Sequence, residues 1–204
     1  MITLATTILL SIVAIETPDI WLDSRVDEED RASLEQLVSF APPPISETAT
    51  WLLEDDEETP SWEQFRGKVV VVQSWTNTTA GGRLAIGAVI KAVAKSKTPD
   101  EIVLVTVHTP QGHNKLHKYL QKKSVSPYTI VDTTGEICNS LGFYKYPTNI
   151  VINRNGVVQH VGLRIKGLMS AVDKLLEEPF DPEFEAPVFD PPKKPTEKKV
   201  SYPE

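Results

Sequence analysis

A single cysteine, Cys138, stands in a chain of 204 residues. One thiol makes no internal disulfide, no Cys₄ or Cys₂His₂ zinc site and no CxxC redox pair, which excludes a disulfide-built miniprotein, a zinc finger and a dithiol reductase together. Long apolar runs are also scarce. The only one, Ile2 to Ile15, covers about 14 residues, is interrupted by threonines, and falls short of the roughly 20 a membrane-crossing helix needs. A multi-span membrane protein is therefore excluded. Residues 1–15 have the apolar centre of a secretory signal without its basic start or an A-x-A site. They read as an export signal or a membrane tether, with a buried N-terminal helix as the alternative. Export places the protein in the periplasm or at a membrane; without it the protein is cytoplasmic.

Charges of one sign are missing from whole stretches. Residues 16–64 hold 15 Asp/Glu against Arg25 and Arg31 alone, a net −13. Residues 65–176 reverse this with 15 Lys/Arg against five acids, a net +10, and 177–204 carry −4, giving −7 for the chain. A basic body beside an acidic arm suits nucleic-acid or anionic-surface binding. The preferred reading is that the acidic segment lies against the basic domain and partly neutralises it by charge. The basic residues are scattered and no RNA-binding aromatic signature interleaves them, so no nucleic-acid partner is expected.

What is present, 40% hydrophobic and 24% charged residues, suits one medium globular domain with appendages. The chain divides into the apolar segment 1–15, an acidic arm 16–40, a main domain 41–178 and a disordered Pro-rich tail 179–204, in which Phe-Asp-Pro occurs twice, from Phe180 and from Phe189. In the arm, Asp27 to Phe40 places Leu34, Leu37 and Val38 on one helical face, with acids in the first turn where the helix dipole favours them. Pro42, Pro43 and Pro44 end that helix, and Ser61 with Gln64 reads as a capping box.

The main domain alternates. Lys68 to Trp75 and Glu101 to Thr109 are β-branched runs of the kind a strand buried on both faces requires, and Thr129 to Val131 is a short strand. Helices fall at Arg83 to Ser96, Asn114 to Lys123, Gly135 to Leu141 and Lys166 to Glu178. Asn149 to Asn153 and Val157 to Val161 form a hairpin through Arg154-Asn155-Gly156. The order β-α-β-α-β-α-β-β-α predicts an α/β fold with a mixed central β-sheet flanked by helices on both faces.

Two segments carry a resemblance. FRGKVVVVQSWTNTTAGGR, Phe65 to Arg83, resembles the thioredoxin-like redoxins of the TlpA and AhpC/TSA type, which read F-x-G-K, an apolar strand, then W-x-x-x-C-x-x-C-R. GFYKYPTNIVINRNGVVQHVG, Gly142 to Gly162, resembles their block around a conserved-pattern Pro-Thr and the hairpin that follows. The resemblance implies a thioredoxin-like fold over about residues 41–178. It sets Trp75 at the family tryptophan, Thr79 and Gly82 at the two redox cysteines, and Pro147 at the cis-proline that faces them. It also implies α-carbons at 79 and 82 close enough for an engineered Thr79→Cys, Gly82→Cys pair to bridge. Thiol chemistry needs an attacking thiolate and a resolving thiol. A threonine hydroxyl has no thiolate-like state near neutral pH, and glycine has no side chain, so the site is degenerate. No catalytic residue is assigned there, and no cofactor.

The resemblance implies a cleft between Thr79 and Pro147 that holds an extended protein or peptide partner. Thr78, Thr79, Arg83 and Tyr146 are its candidate ligand-binding residues. The exposed amides at the start of the helix, with Arg83 beside them, suit an anion or a peptide carboxylate; the plain reading is a helix start capped by Thr79. Cys138 is the one candidate redox thiol and carries the rival function, residual thiol-disulfide or antioxidant activity, against its reading as a small buried hydrophobe. His113 and His117, four apart, are two ligands at most and make no metal site; a solvated helix face is expected. His108 ends a buried strand at the edge where open α/β sheets bind ligands. The sequence leaves the oligomeric state open.

Overall fold

The computed structural model describes residues 16–46, 49–52, 58–145 and 147–189. Six strands make one sheet: β1 (Thr50–Trp51), β2 (Val69–Trp75), β3 (Ile102–His108), β4 (Tyr128–Val131), β5 (Asn149–Ile152) and β6 (Val158–Val161), in spatial order β1-β4-β3-β2-β5-β6. β2, β3 and β4 run parallel; β5 lies antiparallel to β2, β6 to β5 and β1 to β4. The helices are α1 (Glu28–Glu35), α2 (Ala80–Ala94), α3 (Leu116–Leu120), α4 (Glu136–Ser140) and α5 (Ile165–Leu176). The mixed α/β sheet expected from the sequence is the one observed.

The uninterrupted Val run of β2 sits at the centre because both of its faces are covered. Alternate side chains point to opposite faces. Val70 and Val72 enter one core with Phe65, Ile150 and Ile152, while Val69 and Val71 enter another beneath Val89 of α2 and Leu168, Val172 and Leu175 of α5. At the upper end of the second side, Trp75 packs with Ile86 of α2 and Leu116 of α3. Thus α2, α3 and α5 cover one face, the helical face. The other, the arm face, is covered by α1 and by α4 through Ile137, Cys138 and Leu141.

Several elements depart from expectation. α2 begins at Ala80, ahead of Arg83, because Thr79 caps it there. The helix expected over Asn114 to Lys123 is a single 3-10 turn, His113–Lys115, followed by the five residues of α3. α1 ends at Glu35, well before Phe40. The edge strand β1, with Trp51 opposite Ile130, carried no periodic signal in two residues.

The acidic arm is part of the core. Val26, Leu34 and Leu37 are buried among the sheet residues of the arm face, and burial of a Leu side chain stabilises by about 1.5–3 kcal/mol. The expected neutralisation is slight: among the described residues, carboxylates of 16–64 meet two cations of the body, Arg66 beside Glu63 at 2.9 Å and Lys145, whose ammonium lies 2.9 Å from Asp27, 3.3 Å from Glu29 and 3.8 Å from Asp30. The arm also closes the open edge of β6. Asp23 N–H donates to the Gly162 carbonyl (2.9 Å), and Ser39 N–H to the Val158 carbonyl (2.8 Å), occupying backbone groups that an edge strand otherwise leaves unpaired.

Residues 179–189, expected as part of a disordered tail, are held as a strap. The Arg66 guanidinium donates to the carbonyls of Asp181 (3.2 Å), Pro182 (3.3 Å) and Phe184 (2.7 Å) and lies over the Phe180 ring. Ala41 N–H donates to Pro187 (2.7 Å), and Phe189 meets Phe40 edge to face. Residues 190–204 and 1–15 lie outside the described residues.

Candidate functional site

At the C-terminal end of the sheet, β2 runs into the loop Thr76 to Thr79 and then into α2. Trp75 at the end of β2 is wholly buried, with the His108 ring edge-on at 4.8 Å and Tyr119 at 5.5 Å. Its indole N–H has no partner among the described residues, nor has the buried Thr148 hydroxyl. Burial holds the His108 imidazole down to about 4, so the ring is neutral near pH 7. Its Nε2 accepts from Asn77 N–H at 3.4 Å, which leaves the ring proton on Nδ1.

The loop is fastened from below and above. The Thr76 hydroxyl donates to the Gln111 carbonyl (2.8 Å), and the Asn77 amide to the Gly112 carbonyl (3.1 Å), so the segment after β3 folds over the root of the loop. Gly112 has φ +84, and a Cβ there would lie 2.3 Å from Asn77 Oδ1, so the close approach requires glycine. Thr79 Oγ1 accepts from Gly82 N–H at 3.0 Å and caps α2, as expected. Arg83 turns back to donate to the Asn77 carbonyl at 2.7 Å. Arg83 and the Gly82 amide are therefore engaged within the loop, while Thr78 to Gly81 remain exposed.

Gly82 does not hold open a vacant cysteine position. A Cβ there would stand 2.4 Å from the Thr76 carbonyl oxygen and 2.9 Å from its nitrogen. Those are backbone atoms, which do not swing aside as a side chain would. The expected easy bridge between cysteines at 79 and 82 is thus withdrawn, because the loop has closed onto the space the second side chain would fill.

Opposite the loop, Thr148 N–H donates to Ser74 Oγ (2.9 Å) and Ser74 N–H to the Thr148 carbonyl (2.9 Å), which sets the half-buried Pro147 beside the end of β2. Tyr146 lies outside the described residues, and with it the peptide bond that would make Pro147 cis. Tyr144 and Leu84 expose 52% and 72% of their surface at this end of the molecule, large apolar side chains that sequence reasoning did not single out. Neither position carries a pattern in sequence, since exposure here follows from where the neighbouring elements stop.

Cys138 lies in α4 on the arm face, buried, away from the loop. Burial pushes its thiol far above the ordinary range, and the adjacent Asp132 carboxylate, which accepts Cys138 N–H at 2.8 Å, adds to the effect. Both effects disfavour the thiolate, the form that reacts. His113 Nδ1 lies 3.0 Å from the Pro110 carbonyl and His117 Nε2 3.1 Å from Gln121, both at the surface. Among the described residues no three His, Cys, Asp or Glu are grouped to hold a metal ion.

The architecture matches a known class. The AhpC/TSA family profile matches residues 45–161, more than half of the chain, and the chain belongs to that family. No curated protein matches the sequence at a significant level. Among solved structures, a putative protein disulfide isomerase from Bacteroides thetaiotaomicron aligns with TM-score 0.55 and 19% identity, over 69% of this chain and 91% of that one. A putative thiol:disulfide interchange protein DsbE from Chlorobium tepidum aligns with TM-score 0.53 and 20% identity, over 68% and 94%. The pneumococcal exposed lipoprotein thioredoxin of Streptococcus pneumoniae strain TIGR4 gives TM-score 0.50 and 15% identity, over 62% and 99%. These likenesses establish the thioredoxin-like fold.

Proposed function

We propose that this chain is a redoxin-family domain without redox chemistry, an exported or membrane-tethered module that binds an extended protein or peptide segment between the Thr78 to Gly81 loop and Pro147. The observation that carries the reading is the closure of the loop. Thr79 is committed to the helix cap, the backbone of Thr76 fills the side-chain space at Gly82, and the sole thiol is buried on the arm face. What remains at this end of the sheet is an exposed rim with Leu84 and Tyr144 beside it. Export is supported by the signal-like segment 1–15 and by the likeness to an exposed lipoprotein thioredoxin.

The rival reading, turnover through Cys138, requires a thiolate at a position that disfavours one. Assay of the full chain with a peroxide and with an insulin-type disulfide should show no turnover, and amide NMR should show extended peptides perturbing Thr78 to Gly81 and Tyr144 to Thr148. Turnover that Cys138→Ser abolishes would overturn the proposal.

A further inference from the structure

The arm leaves most of the basic body unmet. From Gln64 to Val131 the only acids are Asp100 and Glu101, beside ten lysines and arginines. Seven of those lysines, Lys91, Lys95 and Lys97 on and after α2 and Lys115, Lys118, Lys122 and Lys123 around α3, are exposed and make no ion pair among the described residues. They share one side of the molecule, because α2 and α3 pack on the same cluster through Ile86 and Leu116. Along α2, Leu84, Lys91 and Lys95 follow the i, i+7, i+11 spacing of a single outward stripe.

Residues 16–21 join the domain on this same side. The Thr17 hydroxyl pairs with His160 Nδ1 at 2.7 Å, and Trp21 lies under Lys174 of α5, the helix that packs against α2. Ile20 there is 69% exposed. One side of the protein therefore combines unpaired lysines, two protruding aliphatic side chains and the junction with the apolar segment 1–15. We propose that the helical face formed by α2 and α3 docks on an anionic lipid surface. An apolar chain with a basic patch is the pair of signals that stable membrane attachment takes, neither being sufficient alone. Lysines near an anionic leaflet each strengthen binding, and the effect fades within a Debye length. An acidic polypeptide or a nucleic acid would satisfy the charge but would leave Ile20 and the apolar junction without a role. The surface meets the rim of the loop at Leu84, but its charge lies in lysines outside the loop and Pro147, so the lysine test does not depend on a peptide binding there.

The test sediments the full chain with vesicles of neutral phosphatidylcholine and with vesicles containing about 30 mol% phosphatidylglycerol. Binding to the anionic vesicles should be at least about tenfold tighter, and the difference should vanish between about 0.05 M and about 0.5 M salt. The variant Lys91→Gln, Lys95→Gln, Lys118→Gln, Lys122→Gln, checked for folding by near-UV circular dichroism, should lose at least about tenfold on anionic vesicles and nothing on neutral ones. If the variant misfolds, the salt titration of the unaltered chain decides. Equal binding to both vesicles, no binding, or an unaffected folded variant overturns the proposal. Tighter binding to polyglutamate or duplex DNA than to anionic vesicles overturns it too, in favour of an acidic polypeptide or a nucleic acid.

Discussion

On the helical face, α2 and α3 are the crossovers between consecutive parallel strands, and α5 follows the β5–β6 hairpin directly. On the arm face, α4 is the local helix between strands; α1 comes from the beginning of the chain, and the strap 179–189 from near its end. The two sides differ in charge as they do in origin. Lysines without ionic partners among the described residues line one, while the other gathers the carboxylates of Asp27, Glu29 and Asp30 around a single ammonium. A layer of crossovers is specified by its own periodicity. A layer assembled from remote segments is specified by complementarity between surfaces that no local window contains, so its stability rests on a few buried anchors.

The strongest way to break this contrast is at such an anchor. Leu34 is fully buried in α1, outside the residues that match the AhpC/TSA profile. Leu34→Ala should cost about 2–5 kcal/mol in urea denaturation. A loss below about 0.5 kcal/mol would mean that the arm is an appendage after all.

Next in size is the loop between the two faces. Gly82→Cys, made with Cys138→Ser, should lower stability by about 1–3 kcal/mol, because the added Cβ meets backbone atoms of Thr76. Adding Thr79→Cys should give little bridge formation under mild oxidation. Quantitative closure seen by mass spectrometry, with unchanged stability, would show that the loop opens freely.

Truncation after Glu178 removes the acceptors of Arg66 and the Phe189 contact, and should lower the melting temperature by several degrees, about 1–3 kcal/mol. A melting point unchanged within error would return the strap to the role of a loose tail. The sequence hid this strap for a physical reason. Its Pro and acidic content is that of disordered chain, and the donors that order it come from Arg66 and Ala41, more than a hundred residues earlier. The helical face was legible because β2, β3 and α2 each carry their pattern within one segment. At the candidate site the sequence made the Thr79 cap legible. It could not reveal that Gly112 folds onto Asn77 or that Thr76 occupies the space beside Gly82, since both are contacts between loops.

A smaller effect on the helical side follows pH. His160, under the arm entry, and His108, under the loop, are each held down to about 4, chiefly by burial. Between the ordinary value of 6.5 and about 4 the unfolded chain binds protons at these rings and the folded chain does not, so their contribution to stability is full above about 6.5 and falls as pH drops through that window. Allowing for partial solvent screening, each should account for about 1–2 kcal/mol. His160→Gln should flatten part of the slope of denaturation midpoint against pH. An unchanged slope would show that the ring is protonated in place.

The smallest expected effect concerns the ionic contact of Lys145 with the arm. Lys145 meets Asp27 and Glu29 at the surface, where water and salt screen the attraction and ordering a long side chain opposes it. Removing the ammonium also relieves the chain of ordering that long side chain, which offsets the attraction lost. Lys145→Gln should therefore leave the denaturation midpoint within error, and so should raising the salt from about 0.05 M to about 0.5 M. A marked loss in either experiment, matching that of Leu34→Ala, would show that charge rather than apolar burial holds the arm, and the contrast between the two faces would have to be drawn from electrostatics instead of from Val26, Leu34 and Leu37.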